Sequence, residues 1–278
     1  MPELAEVEYG RKVAAQAALG RVIKAVWCDD DDIVFDGVTP ADMRGALVGR
    51  RVEAVSRRGK HLWFELDQRP WPTFHFGMTG AFHTPGMKVL QLEASPAGGE
   101  RPWPPRFQKI RLTFDDGGEL AMTNKRRLGR IRLRQDPRGE PPISALGFDP
   151  ALDLPDEAEF LRLIKRRKTV LKGLLLNQSF AAGVGNWLAD EICYQAAVDP
   201  RRRASELSDP EILRLRQALK SIVETAIAVD ADKARFPEHW LFHRRWGRPE
   251  GATTLSGQPI EICTVSGRST AWVPSVQS

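Results

Sequence analysis

A chain of 278 residues is long enough for two domains with hydrophobic cores, because single domains usually hold about 100–150 residues. Lysine and arginine outnumber aspartate and glutamate by 41 to 36, and the resulting formal charge of +5 favours an anionic polymer as partner. Cys28, Cys193 and Cys263 are widely spaced and odd in number, which argues against a disulfide framework and a cysteine zinc site. The free thiols indicate a reducing, intracellular compartment, and without an apolar run of about 18 residues we expect no membrane segment.

The first half of the chain is predicted to be one helix followed by strands. The helix covers about residues 2–19, with Pro2 at its first position and Glu3 and Glu6 near its positive N-terminus. Alternating apolar residues predict strands in HLWFEL and RIRLR, and in KIRLTFDDGGELAM they predict a hairpin that turns at its Asp-Asp-Gly-Gly segment. Residues 1–135 are therefore expected to form a β-rich N-terminal domain.

The second half is predicted to be helical up to a small β-rich tail. A stretch rich in proline, glycine and aspartate marks a linker at 136–155. In the helical domain, 156–235, Ser208 and Glu211 form a capping box around Pro210. The helix that follows carries a core-facing stripe composed of Ile212, Leu215, Leu219, Ile222, Val223 and Ala226. Short strands with glycine turns are expected in the tail, 236–278.

Basic residues are concentrated in four segments: SRRGKHL, TNKRRLGRIRLR, LIKRRKTVLK and DPRRRA. A solvated charged face is the alternative for any one of them, but four segments separated by apolar elements favour a discontinuous phosphate-binding surface. Gly183 and Gly185 precede Asn186 and a helix from about Trp187, which is either a phosphate clamp or an ordinary turn between helices. Asn186 is expected to be the helix N-cap in both cases.

Several short motifs of this chain occur together in one known family. PELAEVE, RRGKHL, HFGMTG, TNKRRLGR, AAGVGNWLADEICYQA and SGRST resemble, in order and spacing, the motifs of the formamidopyrimidine-DNA glycosylase / endonuclease VIII family, and the chain looks most similar to the plant-type members. The resemblance implies an α+β multidomain fold: an N-terminal helix with a two-layered β-sandwich, a helix-two-turn-helix domain and a C-terminal zincless β-hairpin finger. It also implies a monomer that binds damaged double-stranded DNA between its domains and needs no cofactor.

The activity implied by the resemblance is that of a bifunctional DNA glycosylase and abasic-site lyase of base excision repair, which removes oxidised bases such as formamidopyrimidines. After removal of Met1, the Pro2 nitrogen would attack C1′ of the nucleotide, expel the base and leave an iminium. A terminal amine titrates near about 8, so part of it is neutral at physiological pH. Glu3 would protonate the sugar ring oxygen, and β,δ-elimination would then leave a one-nucleotide gap.

The matching motif positions also imply contacts to DNA phosphates. Lys60, in RRGKHL, would contact a phosphate near the lesion as part of the catalytic site. Asn186 would clamp a phosphate in the helix-two-turn-helix hairpin, and Arg268 would do so from the finger. Glu6 and Lys172 are expected to support these groups. The alternative for each phosphate contact is a surface charge or a helix cap.

Two further positions match the side chains that fill the space left by a flipped nucleotide. These positions are Met78 in HFGMTG and Arg127 in TNKRRLGR, and Leu128, directly after Arg127, is a departure that is still expected to contact DNA. Met78 is alternatively a strand residue packed in the core. Bacterial glycosylases usually carry phenylalanine at the position of Leu128, and leucine can wedge between bases but cannot stack on them.

The tail departs from the family's zinc finger, which would supply four cysteines. The corresponding positions hold Thr253, Ser256, Val273 and Val276, none of which is a zinc ligand, so we expect no metal. The zincless finger would instead be held by Ile260, Ile262, Val265 and Trp272. A second departure is DADKARFPEHW, which lacks the glycine-rich character of the loop that covers flipped 8-oxoguanine in bacterial relatives. This predicts weak activity on 8-oxoguanine relative to formamidopyrimidines, further-oxidised guanines or abasic sites.

Two other functions remain open from the sequence. A catalytically inactive protein that binds damaged DNA would keep the fold, but it has no need for both Pro2 and Glu3. An RNA-binding helix-two-turn-helix protein of ribosomal type would explain the basic charge and the glycine turn. It would not explain the motifs of the β-rich half.

Overall fold

The computed structural model describes residues 1–87, 102–246 and 251–278. Residues 88–101 of the predicted N-terminal domain and 247–250 of the predicted tail lie outside the described residues. The chain divides into two compact units, Met1–Ala145 and Leu146–Ser278. The division lies within the stretch that the sequence predicts to be a linker.

The first unit contains helices α1 (Leu4–Ala18) and α2 (Pro40–Leu47). Its strands are, in chain order, β1 (Ile23–Cys28), β2 (Val52–Arg58), β3 (His61–Leu66), β4 (Trp71–His75), β5 (Ala81–His83), β6 (Gln108–Phe114), β7 (Glu119–Thr123) and β8 (Arg130–Arg134). A short 3₁₀ helix, Ile143–Ala145, ends the unit. Thr39 caps α2 by accepting a hydrogen bond from the backbone N–H of Asp42 at 3.1 Å.

The strands form two antiparallel sheets of four, in the orders β1-β6-β7-β5 and β2-β3-β4-β8. The predicted hairpin is confirmed, because β6 pairs with β7 around a turn in which Gly117 has a φ of 82°. Glycine adopts this left-handed conformation without the steric penalty of a Cβ atom. HLWFEL and RIRLR form β3 and β8, as their alternation predicts.

Buried phenylalanines join the two sheets into a two-layered sandwich. Phe64 and Phe74 of one sheet contact Phe82 of the other, with ring centroids 5.9 and 5.2 Å apart. Burying each such side chain contributes about 2–3 kcal/mol. Helix α1 approaches the core closely at Gly10, where a Cβ atom would lie 2.6 Å from the Phe76 ring. A glycine at this position therefore lets the helix lie against the ring.

The second unit contains four helices and a β-hairpin among its described residues. They are α3 (Glu157–Lys165), α4 (Leu171–Leu176), α5 (Asn186–Gln195), α6 (Asp209–Ala228), β9 (Glu261–Val265) and β10 (Arg268–Trp272). Short 3₁₀ helices lie at Ala204–Glu206, Lys233–Arg235 and Leu241–His243. None of the described helices is both long and apolar enough to cross a membrane.

Helix α6 follows its sequence prediction in detail. Ser208 and Glu211 form the capping box, with Pro210 in the first turn, and every residue of the predicted stripe is buried. Helix α3 is capped by Asp156, which accepts a hydrogen bond from the backbone N–H of Glu159 at 2.8 Å. The rings of Phe148, Phe160 and Phe180 pack together beside it. These contacts give the helical unit its own core.

Candidate functional site

The start of α1 differs from the predicted helix opening. The prediction that Pro2 occupies the first helical position is wrong, because the helix begins at Leu4 and Glu3 is its N-cap. A capping box links Glu3 and Glu6, and the Glu3 backbone N–H donates to Glu6 Oε2 at 3.0 Å. Pro2 and Glu3 are both buried. The capping box therefore fixes the backbone around the two predicted catalytic residues.

Lys60 lies in the tight turn between β2 and β3, and only 6% of its surface is exposed. The turn is tied to α1 by Arg57, which donates to Glu8 Oε2 at 2.9 Å and to the Gly59 carbonyl at 3.2 Å. Burial by itself raises the pKa of Glu8, but hydrogen bonds from Arg11 and Arg57 bring it below its ordinary value. Glu8 is therefore a carboxylate that holds the Lys60 turn against the first helix.

Two histidines beside Lys60 were missed by the sequence analysis. His61 and His75 face each other across β3 and β4 with ring centroids 4.8 Å apart. Burial lowers the pKa of His61 to about 3 and that of His75 to about 4, and the charge of Lys60 contributes to both shifts. The Gly77 backbone N–H donates to His75 Nδ1 at 3.2 Å, so the proton of this neutral ring is on Nε2. Their only sequence signal is that they adjoin RRGK and FGMTG.

The loops that carry the two predicted filling residues, Met78 and Arg127, and the neighbouring Leu128 contact each other. Met78 and Leu128 are 38% and 44% exposed, so the alternative that Met78 is a core residue is wrong. Their loops touch at Gly77, where a Cβ atom would lie 2.4 Å from the Leu128 carbonyl. Buried Asn124 links the loops again, by donating to the Phe76 carbonyl at 2.8 Å and accepting from the Gly129 N–H at 3.1 Å. These contacts hold together the two loops that carry the exposed apolar side chains.

Arg127 is held by a buried aspartate that the sequence analysis missed. Its guanidinium donates to both oxygens of Asp31, at 2.9 and 3.0 Å, and its backbone has a φ of 53°. Lys109 Nζ lies 2.7 Å from Asp31, and the Val34 N–H donates to the same side chain. Burial raises the pKa of Asp31, but hydrogen bonds from Arg127 and Lys109 hold it well below its usual range. Asp31 would therefore keep a cationic partner if Arg127 moved away.

An exposed aromatic residue precedes β6 in the chain. Phe107 is 40% exposed and has a φ of 64°. Arg106 lies over its ring at 4.7 Å and Lys125 at 5.8 Å from the centroid. The Asn124 N–H donates to the Phe107 carbonyl at 2.9 Å, which links this residue to the loop that carries Arg127. The basic surface of the first unit thus includes an aromatic face.

In the second unit, the predicted phosphate clamp lies against the finger. The prediction that Asn186 is the N-cap of α5 is wrong, because Gly185 occupies that position and Asn186 is the first helical residue. Its side chain is thereby directed to β10, where Nδ2 donates to the Ser269 carbonyl at 2.9 Å. Arg268, the preceding residue of β10, is exposed. Asn186 and Arg268 are therefore close together.

Part of the predicted basic surface lies inside the protein. Lys172 is fully buried, and Arg57 and Lys60 are 5% and 6% exposed, so none of the three lies on the solvated phosphate-binding surface that the four basic segments had suggested. Lys172 is paired with Asp190, and Arg57 is paired with Glu8. Buried cations require such partners, and the sequence does not show which basic residues have them.

Comparison with known proteins identifies the family. Residues 1–131 match the formamidopyrimidine-DNA glycosylase N-terminal domain, and residues 146–238 match the H2TH domain of the same glycosylase. The chain is 40% identical over 277 residues to a formamidopyrimidine-DNA glycosylase of Arabidopsis thaliana, covering all of this chain and 71% of that protein. It belongs to the formamidopyrimidine-DNA glycosylase family. The resemblance inferred from its motifs is thus confirmed.

Other members of the family are similar over their whole length. The formamidopyrimidine-DNA glycosylase of Geobacter metallireducens is 30% identical over 283 residues, covering all of both chains. The crystal structure of the Lactococcus lactis enzyme, bound to DNA that contains an AP site, matches with a TM-score of 0.81 at 22% identity over 99% of each chain. This structural match confirms the predicted α+β multidomain fold.

The zinc finger of the formamidopyrimidine-DNA glycosylases does not fit the residues of this chain. Thr253, Ser256, Val273 and Val276 lack the thiolate and imidazole groups that bind zinc. Val273 is fully buried with Leu241 and Ala271, and Val276 packs against this cluster. The predicted apolar residues pack here too: Ile260 and Ile262 contact the cluster, and Val265 and Trp272 are buried. Two positions of the family's metal site are thus occupied by core side chains.

Proposed function

We propose that this chain is a DNA glycosylase of base excision repair with abasic-site lyase activity, acting on oxidised purines in double-stranded DNA. The observation that carries the proposal is the match of residues 1–131 to the N-terminal domain of formamidopyrimidine-DNA glycosylase, because it includes Pro2 and Glu3. The Arabidopsis and Geobacter relatives, which match the full length of this chain, are both named formamidopyrimidine-DNA glycosylase. Exposed Met78 and Leu128 supply side chains suited to the space left by a flipped nucleotide.

The proposed mechanism uses the Pro2 nitrogen as nucleophile. While Met1 is attached, this nitrogen belongs to a peptide bond and cannot attack, so Met1 must first be removed. The freed secondary amine attacks C1′ of the damaged nucleotide, the C1′–N bond breaks, and the base leaves with a proton. Ring opening gives an iminium between Pro2 and C1′, which divides the substitution into two easier steps.

Glu3 is the proposed proton donor and acceptor of the reaction. Glu3 follows Pro2 directly in the chain, and the capping box with Glu6 holds it at the start of α1. Glu3 would protonate the sugar ring oxygen, and it would then take part in proton transfer during elimination. The iminium acidifies the C2′ proton, so the 3′ phosphate leaves first and the 5′ phosphate follows. Hydrolysis of the remaining iminium releases the sugar fragment and regenerates Pro2.

The other proposed site residues contact the DNA rather than the reacting bonds. Lys60 would bind a phosphate near the lesion, while Asn186 and Arg268, which both lie in the second unit, would bind other phosphates of the DNA. Their support comes from proximity, because Asn186 contacts the residue next to exposed Arg268. Since several phosphates are neutralised at once, the affinity for DNA should fall steeply as the salt concentration rises. Arg127 and Leu128 would enter the stack together with Met78.

We also propose that 8-oxoguanine is a weak substrate. The segment that corresponds to the lesion-covering loop, 230–240, contributes buried Phe236 and Trp240 to an aromatic cluster around Trp187. Anchoring of this kind disfavours a mobile loop that closes over a flipped base. Single-turnover excision should therefore be slower for 8-oxoguanine than for formamidopyrimidine in matched duplexes. Equal rates would contradict the proposal.

Borohydride trapping on a duplex with one abasic site tests the proposed function. Borohydride reduces the iminium, so a covalent protein–DNA product is expected from the wild type. No product is expected from a variant whose terminus is extended by additional residues, because its Pro2 nitrogen stays in a peptide bond. Pro2→Gly keeps a terminal primary amine, so it should still be trapped on the abasic aldehyde, and it serves as the control that a free terminal amine is what the trapping requires. If the wild type binds the duplex tightly but gives no covalent product, the chain binds damage without catalysis. An RNA duplex that competes as well as the DNA would contradict the substrate class.

A further inference from the structure

A cluster of three buried charges lies beneath the finger of the second unit. Lys172 Nζ lies 2.6 Å from Oδ1 of Asp190, a residue of α5. Arg245 Nη2 lies 2.6 Å from Oδ2. The side chains of Lys172 and Asp190 are fully buried, and that of Arg245 is 6% exposed. The three residues are called the charge cluster below.

The charge cluster holds strand β10 through its backbone. Lys172 Nζ donates to the Ser269 carbonyl at 3.0 Å and to Thr270 Oγ1 at 2.7 Å. Asp190 Oδ2 accepts from the Ala271 N–H at 3.1 Å. Asn186 donates to the same Ser269 carbonyl at 2.9 Å. Consecutive residues of β10 are therefore fixed to α4 and α5, directly after Arg268.

The energetics of the cluster point to a positional role. Two buried cations share one buried carboxylate. Proteins in which a buried ion pair is replaced by apolar side chains of similar size are often as stable as the original or more stable. The hairpin of β9 and β10 buries few side chains of its own, and an isolated two-stranded hairpin is marginally stable. Apolar contacts among Leu241, Ala271 and Val273 are non-directional, so they do not by themselves fix where Arg268 lies. Hydrogen bonds from charged groups are directional, so they fix the position of Arg268 through the backbone of β10.

We propose that Asp190 is a positioning residue, which together with Lys172 and Arg245 fixes β10 so that Arg268 and Asn186 bind DNA phosphates as a pair. The charge cluster thereby performs the task that a metal ion performs in a zinc finger. This inference rests on the proposed function, because it requires that Arg268 contact DNA. It adds Asp190 and Arg245 to the residues on which DNA binding depends.

Asp190→Asn tests the proposal, because it removes the charge and retains the size of the side chain. Its amide oxygen can still accept from the Ala271 N–H. We expect the affinity for a duplex with an abasic-site analogue to fall about tenfold, and we expect a loss of the same size for Arg268→Ala, which removes one phosphate contact. The slope of log affinity against log salt should decrease by about one in both variants.

A double variant separates positioning from general destabilisation. If Asp190 acts through Arg268, then Asp190→Asn should not weaken binding further in the Arg268→Ala background. Losses that multiply would overturn the proposal. Glu159→Gln is the control, because it removes the Glu159–Arg162 ion pair of the same unit, which lies outside both β10 and the four basic segments. Its affinity and salt slope should equal those of the wild type.

Asp190→Asn leaves two buried cations without a carboxylate, so a second variant guards against failure to fold. The triple variant Lys172→Met, Asp190→Leu and Arg245→Met replaces the charge cluster with apolar side chains. We expect it to be folded, because it leaves no buried charge without a partner, yet to bind the duplex as weakly as we expect of Arg268→Ala. Wild-type affinity in this variant would overturn the inference alone. A wild-type chain that neither binds nor is trapped on the duplex would overturn the proposed function itself.

Discussion

Glu191 of α5 provides a prediction whose size follows from the structure. Its carboxylate is fully buried, with Oε2 accepting from the Phe242 N–H at 2.8 Å and Oε1 accepting from Gln195 Nε2 at 2.8 Å. Burial raises the pKa of Glu191 from its ordinary 4.5 to about 7, although these hydrogen bonds oppose the rise. The folded protein thus binds this proton more tightly than the unfolded chain does.

The sign of the effect follows from the direction of the shift. Below about pH 4.5 the carboxyl is protonated in both states, and its contribution to stability is fully present. As the pH rises, the unfolded chain ionises first, so the free energy of unfolding falls until the folded carboxyl also ionises near pH 7. A shift of this size corresponds to about 3 kcal/mol lost above pH 7.

Glu191→Gln should recover that loss. Glutamine stays neutral and can accept from the Phe242 N–H, while a rotated Gln195 amide accepts from its new NH₂ group. The free energy of unfolding of the variant is expected to exceed that of the wild type by about 3 kcal/mol at pH 8.5. The difference should shrink towards zero as the pH is lowered to about 4.5. Urea denaturation of both proteins across this range measures it. A difference that does not depend on pH would refute the reasoning.

Three further predictions concern the first unit and the finger. Gly77→Ala introduces a Cβ atom 2.4 Å from the Leu128 carbonyl and should displace the loop of Leu128. Single-turnover excision from a duplex should therefore fall at least about tenfold, while trapping on a single-stranded abasic oligonucleotide should persist. Equal losses on both substrates would contradict this prediction. Arg57→Met deprives Glu8 of a buried partner and should cost about 3 kcal/mol in urea denaturation. The control Arg11→Met, at a more exposed partner of Glu8, should cost about 1 kcal/mol or less. Dialysis against a chelator should leave excision unchanged, since Thr253 and Val273 cannot bind zinc; activity restored by added zinc would contradict it.

Local patterns in the sequence determined the elements that depend on near neighbours. The capping box of Ser208 and Glu211, and the stripe that follows it, predict α6 because caps and helical periodicity act within a few residues. The β6–β7 hairpin is predicted for the same reason, since its glycine turn and alternating strands are adjacent in the chain. The motif order likewise identified the family, which full-length similarity confirms. The individual roles of Pro2 and Glu3 stay predictions.

Only the tertiary structure decided which charged residues face water and which face each other. Lys172 and Arg57 lie in basic runs that look like one surface, yet both are buried against carboxylates distant in sequence. Asp31 lies 96 residues from Arg127, and no local pattern marks the pair. Asn186 illustrates the same limit, because its side chain turns from the expected cap to a carbonyl 83 residues away. A side chain's partner is set by the packing of whole elements, and that information is spread over the entire chain rather than held in any one segment.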